Sequence, residues 1–367
     1  MIREIGSEFW LKEIPSEAPF HFPYWLRYLE FQKLTTLGRG ALTFLLERIE
    51  SHVNHKNVFL PAYICESAVN PFLEKGYKCY FYKLNQNLEP DLEHLFQLNF
   101  ARIGVFFHLG YFGFPNNNNL DFYLNEIKRQ GTFIIEDISH TLFSDFKKSK
   151  SNDFFIASIR KWSGMPSGGF FSSRLFFQLR KELPLNPTYQ QLREIALIKK
   201  GQYIETGLAS LKEDYLSLFR EAEKLMDEDN KAYKIDPLSQ SLIFNLDYDF
   251  IKVRRRKNYL ALLEATKEII VFEPVFKTLP DNVTPLFFPI YCSNLRNDLR
   301  SFLIEKNIFC PIHWPVPKVL DLKKFPVSEQ IYNSILSIPC DQRYDEKDML
   351  QISEAIKSFF GSFRRKR

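Results

Sequence analysis

The apolar positions of this chain change period several times along its length. Leu42, Leu45, Leu46 and Ile49 fall at i, i+3, i+4 and i+7, the stripe of an amphipathic helix, and the turn Leu37-Gly38-Arg39-Gly40 leads straight into it. Val58-Phe59-Leu60, closed by Pro61, reads as a strand; a helical stretch then runs to Gly76, and the aromatic run Tyr77 to Tyr82 reads as the next strand. Ile103 to Phe107 is a further apolar strand, closed by His108-Leu109-Gly110. Leu120, Tyr123, Leu124 and Ile127 give a second helical stripe, stopped by Gly131, and Thr132 to Ile135 form a short buried strand that ends on Glu136-Asp137. Phe154 to Ala157 and Gly169 to Phe171 add two strands, the second after a turn at Pro166 to Gly168.

Strands alternating with helices at this spacing predict an α/β fold with an open, mostly parallel central sheet flanked by helices. In such sheets ligands sit beyond the carboxyl ends of the strands. From Leu208 onward, Leu211, Tyr215, Leu218, Ala222 and Leu225 mark a long amphipathic helix, after which Asp236-Pro237 punctuates the chain. The remainder has a strand at Phe287 to Tyr291 and a closing helix marked by Met349, Ile352, Ile356 and Phe359, and reads as a smaller C-terminal α+β domain. The expected organisation is an N-terminal arm over residues 1–30, a large domain over 31–245 and a small domain over 246–367.

Composition narrows the function classes. A chain of 367 residues, 45% hydrophobic and 25% charged, has the core of a compact protein and excludes disorder. Forty-nine basic against 44 acidic residues give a net charge of +5, too even and dispersed to imply nucleic-acid binding. The one basic run, Arg364-Arg365-Lys366-Arg367, reads as a solvated tail. Cys65, Cys79, Cys292, Cys310 and Cys340 are odd in number and widely spaced, so neither a disulfide framework nor a zinc site is indicated, and no metal is expected. No apolar run approaches the roughly 18 residues of a membrane span, and the start lacks a signal-peptide core, so the chain reads as cytoplasmic.

Three segments carry chemistry. In Gly38-Arg39-Gly40-Ala41 the exposed N–H groups of a helix start can cradle a phosphate, although an ordinary helix entry has the same sequence. Asp137, at the end of an apolar strand, can keep a pyridine nitrogen protonated, or serve as a helix N-cap. In Ser158-Ile159-Arg160-Lys161, just past a strand, the lysine can form a Schiff base and move protons, while Ser158 is placed to bond a phosphate; the alternative is a solvated surface lysine. In this order along one α/β chain, the three meet the requirements of a pyridoxal-phosphate (PLP) site.

The sequence resembles the DegT/DnrJ/EryC1/StrS family of sugar aminotransferases, within the type I PLP-dependent transferase fold, from about Leu34 to about Phe360. The resemblance is carried by Val58 to Tyr63, Phe107 to Gly113, Glu136-Asp137, Ser158 to Gly169, Arg254 to Tyr259 and Ile338 to Asp341. It implies PLP as cofactor, a homodimer, and transfer of an amino group from an amino acid such as glutamate to a nucleotide-linked keto-sugar, in amino-sugar or surface-polysaccharide synthesis. It also implies that His140 lies beside the cofactor, that Tyr63 or Tyr111 stacks on its ring, and that His108, Tyr111, His313 and Trp314 face the substrate. As plain alternatives, His140 is a core residue or cap, His313 a surface residue and Trp314 a packing residue. Arg39 stands where the family has a small hydroxyl residue, so either its guanidinium holds the phosphate or the turn is shifted. Cys65 stands near the place of a stacking aromatic, and Lys161 is closer to its serine than in the family. Arg160 stays unassigned. A PLP-dependent lyase or dehydratase, or a family member that no longer catalyses, would carry the same motifs.

Overall fold

Short runs of Phe, Ile and Val bounded by turn residues build one seven-stranded sheet in this computed structural model, which describes residues 4–364 apart from 12–20, 22, 28–30, 176–181, 230, 268 and 270–272. Its strands are β1 (Phe31–Thr35), β2 (Asn57–Pro61), β3 (Lys78–Tyr82), β4 (Val105–Leu109), β5 (Phe133–Asp137), β6 (Phe154–Ser158) and β7 (Gly169–Ser173). Their order across the sheet is β1-β7-β6-β5-β4-β2-β3. The run from β6 to β3 is parallel, whereas β7 and β1 are antiparallel at one edge. All five residues of β4 and of β7 are buried, as the central strands of a sheet covered on both faces should be.

Helix α1 (Gly38–Ile49) lies on β6 and β7, with its predicted stripe fully buried and Phe44 edge-on to Phe171 at 5.6 Å. Helices α2 (Glu66–Glu74) and α3 (Asp121–Arg129) follow β2 and β4 as predicted. A second, antiparallel sheet joins β8 (Glu273–Pro274), β9 (Phe288–Tyr291) and β10 (Ile335–Ile338). The closing helix buries Met349, Ile352, Ile356 and Phe359, the predicted face.

Two expectations need correction, and two elements escaped the sequence pattern. The strand expected from Ile103 spans Val105–Leu109 instead, because Ile103 closes a turn onto Phe100, and His108 therefore lies inside the strand. A helix over Pro187–Thr206, here α4, had no apolar stripe to betray it, since Arg193 and Lys200 are on its buried face. It forms a helical hairpin with α5 (Ala209–Glu228) through Gly207. On α5 the buried residues are Tyr215, Phe219, Ala222 and Met226, while Leu211, Leu218 and Leu225 are half-buried, so the predicted stripe is rotated. Strand β1 carries Gln32 and Lys33 and escaped the apolar pattern. Much of the expected N-terminal arm, and Arg365 to Arg367 of the basic run, lie outside the described residues; among those described, no helix is long and apolar enough to cross a membrane.

Behind β5, on the face opposite Asp137, sits a buried ion pair. Lys148 Nζ is 2.8 Å from Glu136 Oε1, with side chains 6% and 3% exposed, and Asn152 donates to the other Glu136 oxygen at 2.5 Å. Burial pushes the Glu136 carboxyl up, but Lys148, His108 and the Asn117 hydrogen bond together outweigh it and hold the group low. Lys148→Ala strands a buried charge and should cost about 3–5 kcal/mol in urea unfolding near pH 7. A loss below about 1 kcal/mol would show that the pair does not anchor this end of β5.

Candidate active site

Two neighbouring strands bring the predicted residues together. β5 and β6 are parallel with Asp137 opposite Ile156, so both end at the carboxyl edge of the sheet. β6 runs into a 3-10 turn at Ile159–Lys161 that puts Lys161 just beyond that edge. The turn is pinned: Ile159 N–H donates to Gly168 O at 2.7 Å, and fully buried Trp162 donates from Nε1 to Ser139 O at 2.8 Å. Trp162 thus fixes the backbone from which the lysine projects.

Lys161, Asp137, Ser139, Ser158, Gly38 and Cys65 line one cavity of about 290 Å³, close to the lower end of small-ligand sites at roughly 300 Å³. Helix α1 enters it without a side-chain cap, and its first internal bond is Ala41 N–H to Leu37 O. The N–H groups of Gly38, Arg39 and Gly40 therefore precede the helix ladder, while that of Ala41 is committed to it. A Cβ on Gly38 would lie 3.1 Å from Ala157 O and 3.2 Å from Ser158 Cβ, so glycine lets the helix end close on Ser158. Open amides, the positive helix end and the Ser158 hydroxyl together fit a phosphate. Arg39 also lines this cavity, with its guanidinium held by α5: Nη1 is 2.6 Å from Asp227 Oδ1 and Nη2 3.9 Å from Glu223.

Asp137 Oδ1 accepts from Ser139 N–H at 2.8 Å, and no basic side chain among the described residues forms an ion pair with it. Burial raises its carboxyl above the usual aspartate range, partly offset by the Ser139 hydrogen bonds. His140 is buried, its Nδ1 accepts from Phe112 N–H at 3.2 Å, and its Nε2 is 3.0 Å from Lys161 Nζ. Burial, then Lys161 and His313, push this imidazole well below its ordinary value, so it is neutral. With Nδ1 accepting, the ring proton is assigned to Nε2, the ring nitrogen nearest Lys161.

A second cavity of about 530 Å³ shares Ser158, Arg160 and Lys161 with the first and reaches His313. The Trp314 ring lies 5.3 Å from Lys161 Nζ and 5.2 Å from the His140 ring. His313 Nδ1 is 2.7 Å from Ser337 Oγ, and burial, with Lys161 nearby, pulls its imidazole down to about 3.

The other expected residues are placed differently. Tyr63 and Tyr111 line neither cavity; both are buried, the Tyr111 hydroxyl donates to Tyr63 O at 2.6 Å, and the Tyr63 hydroxyl donates to His313 O. They support the His313-Trp314 segment from behind, and among the described residues no aromatic lines the first cavity. His108 is excluded by strand alternation: it lies opposite Glu136, on the face away from Asp137, bonded to Asn152 and Asn117. Sequence reasoning missed Ser139 and the arginines Arg193, Arg255, Arg300 and Arg343 of the second cavity, which lie too far apart in the chain to form a motif.

No family model matches the sequence, and no curated protein matches it. Solved structures do. The Helicobacter pylori PseC, an aminotransferase involved in pseudaminic acid biosynthesis, superposes with a TM-score of 0.65 at 14% identity, covering 91% of this chain and 88% of that one. A DegT DnrJ EryC1 StrS aminotransferase from Brucella abortus gives 0.63 at 18% identity, covering 90% and 86%. Spr1654 from Streptococcus pneumoniae in its PMP form gives 0.66 at 14% identity, covering 90% and 88%. The chain has the sugar-aminotransferase fold. At such identities the likeness establishes architecture, and it agrees with the α/β reading and the family resemblance of the sequence.

Within this fold the placement of Arg39 makes a sharp distinction. Ser158→Ala should weaken PLP binding about tenfold, through loss of a hydrogen bond to a charged group. Arg39→Ala should change it by less than about threefold, because the guanidinium serves α5. Fluorescence titration with PLP reads both, and the reverse ranking would move the phosphate onto the guanidinium.

Proposed function

We propose that the chain is a PLP-dependent aminotransferase that moves an amino group from glutamate to a nucleotide-linked keto-sugar, in amino-sugar or surface-polysaccharide synthesis. One observation carries this reading: Lys161, Asp137, Ser158 and the uncapped end of α1 line a single cavity at the carboxyl edge of the sheet. The likeness to sugar aminotransferases, one of them solved in PLP and PMP forms, supports the cofactor and the reaction class.

Bound there, PLP supplies an aldehyde and a pyridine ring that withdraws electrons. The amides of Gly38 to Gly40 and the Ser158 hydroxyl bind its phosphate. Asp137 would hold a proton on the ring nitrogen, and that positive charge would keep the half-buried carboxylate an anion. His140 positions the Lys161 nitrogen through the 3.0 Å contact with its Nε2. Lys161 then serves as the general acid and base that shifts a proton between two carbons. His313 lines the second cavity together with Lys161 and would touch the substrate, with the Trp314 ring beside the lysine, 5.3 Å from its Nζ. The reading is completed by a cytoplasmic homodimer, with a large domain over 31–245 and a small one over 246–367.

Purified protein with PLP should be yellow, and borohydride should bleach it and fix one cofactor to Lys161. Lys161→Ala should abolish that fixation and lower turnover about a thousandfold. A colourless protein that takes up no PLP sinks the proposal; a yellow one that glutamate never converts to the pyridoxamine form points to lyase or dehydratase chemistry. PLP affinity should also fall with acid. Asp137 loses its charge below its pKa, and burial moves that pKa upward from 3.8, so the loss should begin at a higher pH than for an exposed aspartate and should vanish in Asp137→Asn.

A further inference from the structure

The second cavity is lined by Arg160, Arg193, Arg255, Arg300, Arg343 and Lys161, against two acids, Glu8 and Asp341. Asp341 is fully engaged, accepting from Arg343 at 2.8 and 2.9 Å through its two oxygens. Three guanidinium nitrogens around the cavity are buried without a partner among the described residues: Nε of Arg160, Nε of Arg193 and Nη2 of Arg255. Arg193 and Arg255 are only 3% and 1% exposed. The Arg193 and Arg255 guanidiniums also stack on Phe219 and Trp162, at 4.4 and 4.7 Å, so the excess of cations over acids along the lining is what suits the cavity to an anion.

One wall of the cavity is an N-terminal strap, Gly6 to Trp10. It begins where Ile5–Gly6 pairs in parallel with Ile308–Phe309. Arg343 donates to the carbonyls of Glu8 at 3.0 Å and Ser7 at 3.3 Å, and its guanidinium lies 4.1 Å from the Phe9 ring. Lys200 donates to Ser7 Oγ at 2.7 Å and to Glu8 O. Gly164, in the turn after Lys161, admits the strap's close approach, since a Cβ there would sit 2.6 Å from Trp10 O. The strap backbone is thus held from several sides. The Glu8 side chain is not: it is 57% exposed and reaches Arg193 only at 3.6 Å.

We propose that Glu8 is a specificity-determining residue of this cavity, a loosely held counter-ion whose place on Arg193 is taken by an anionic group of the ligand. The ligand chemistry is a phosphoryl group or a carboxylate, and the strap backbone need not move for either to enter. The proposal rests on the functional reading only in calling that ligand a substrate of the Lys161 site; anion binding itself does not require the cofactor.

Calorimetric titration of the full chain with inorganic pyrophosphate and with glutarate, a dicarboxylate that has no amine to react, tests it. Glu8→Gln should tighten binding of at least one probe about fivefold, and Arg193→Met should weaken it about tenfold. Arg193 does not line the first cavity, so its effect separates this site from the end of α1. Should Arg193→Met fail to fold, Arg300→Gln takes its place. Tightening of pyrophosphate assigns the cavity to a phosphoryl-bearing substrate and tightening of glutarate assigns it to the amino donor; either upholds the proposal. Unchanged affinity for both probes in Glu8→Gln overturns it, as does a lowered melting temperature with no change in affinity, the mark of a residue that only anchors the strap. A wild-type protein that takes up no PLP and still shows the tightening brings down the functional reading alone.

Discussion

The register of β5 against β6 is the constraint on which the site depends. Asp137 pairs with Ile156, and the chain reaches Ser158 and the Lys161 turn only after that pair. An acid, a hydroxyl and an amine from two adjacent parallel strands are thereby delivered to one edge of a rigid sheet. A slip of one residue in β5 would turn Asp137 toward the face now held by Glu136 and His108, and one in β6 would turn Ser158 over in the same way. Ladder hydrogen bonds and the Trp162 anchor therefore do the positioning, and the cavity inherits its geometry from them.

That arrangement explains which parts of the site could be read along the chain. Asp137, Ser158 and Lys161 each follow directly on an apolar strand, so strand pattern and chemistry coincide and the sequence exposes both. Tyr63, Tyr111 and His108 also sit near strand ends, but the direction of a side chain there depends on alternation and on what packs behind it. His108 is one residue out of phase, and the two tyrosine hydroxyls are held by backbone carbonyls. Helix α4 hid for a related reason: its inner face carries Arg193 and Lys200, so burial no longer follows hydrophobicity.

Those buried cations reflect a wider electrostatic design. Glu223 on α5 is met by Arg160 at 3.0 Å, Arg193 at 3.5 Å and Arg39 at 3.9 Å. Burial raises its carboxyl, but the arginines outweigh that effect and hold it low. One carboxylate thus links the phosphate turn, the lysine turn and the helical hairpin. Charge shared in this way leaves Nε of Arg160 and of Arg193 buried without a hydrogen-bond partner among the described residues, on two side chains that line the larger cavity.

Glu136 and Asp137 are consecutive, yet only the first is neutralised by a cation of the chain's own, Lys148. Asp137, half-buried, has no ion-pair partner among the described residues. A cationic group that met it would bind the folded chain and not the unfolded one, so its binding energy would become part of the energy of folding. Resistance to heat and to proteolysis would then rise with the concentration of that group.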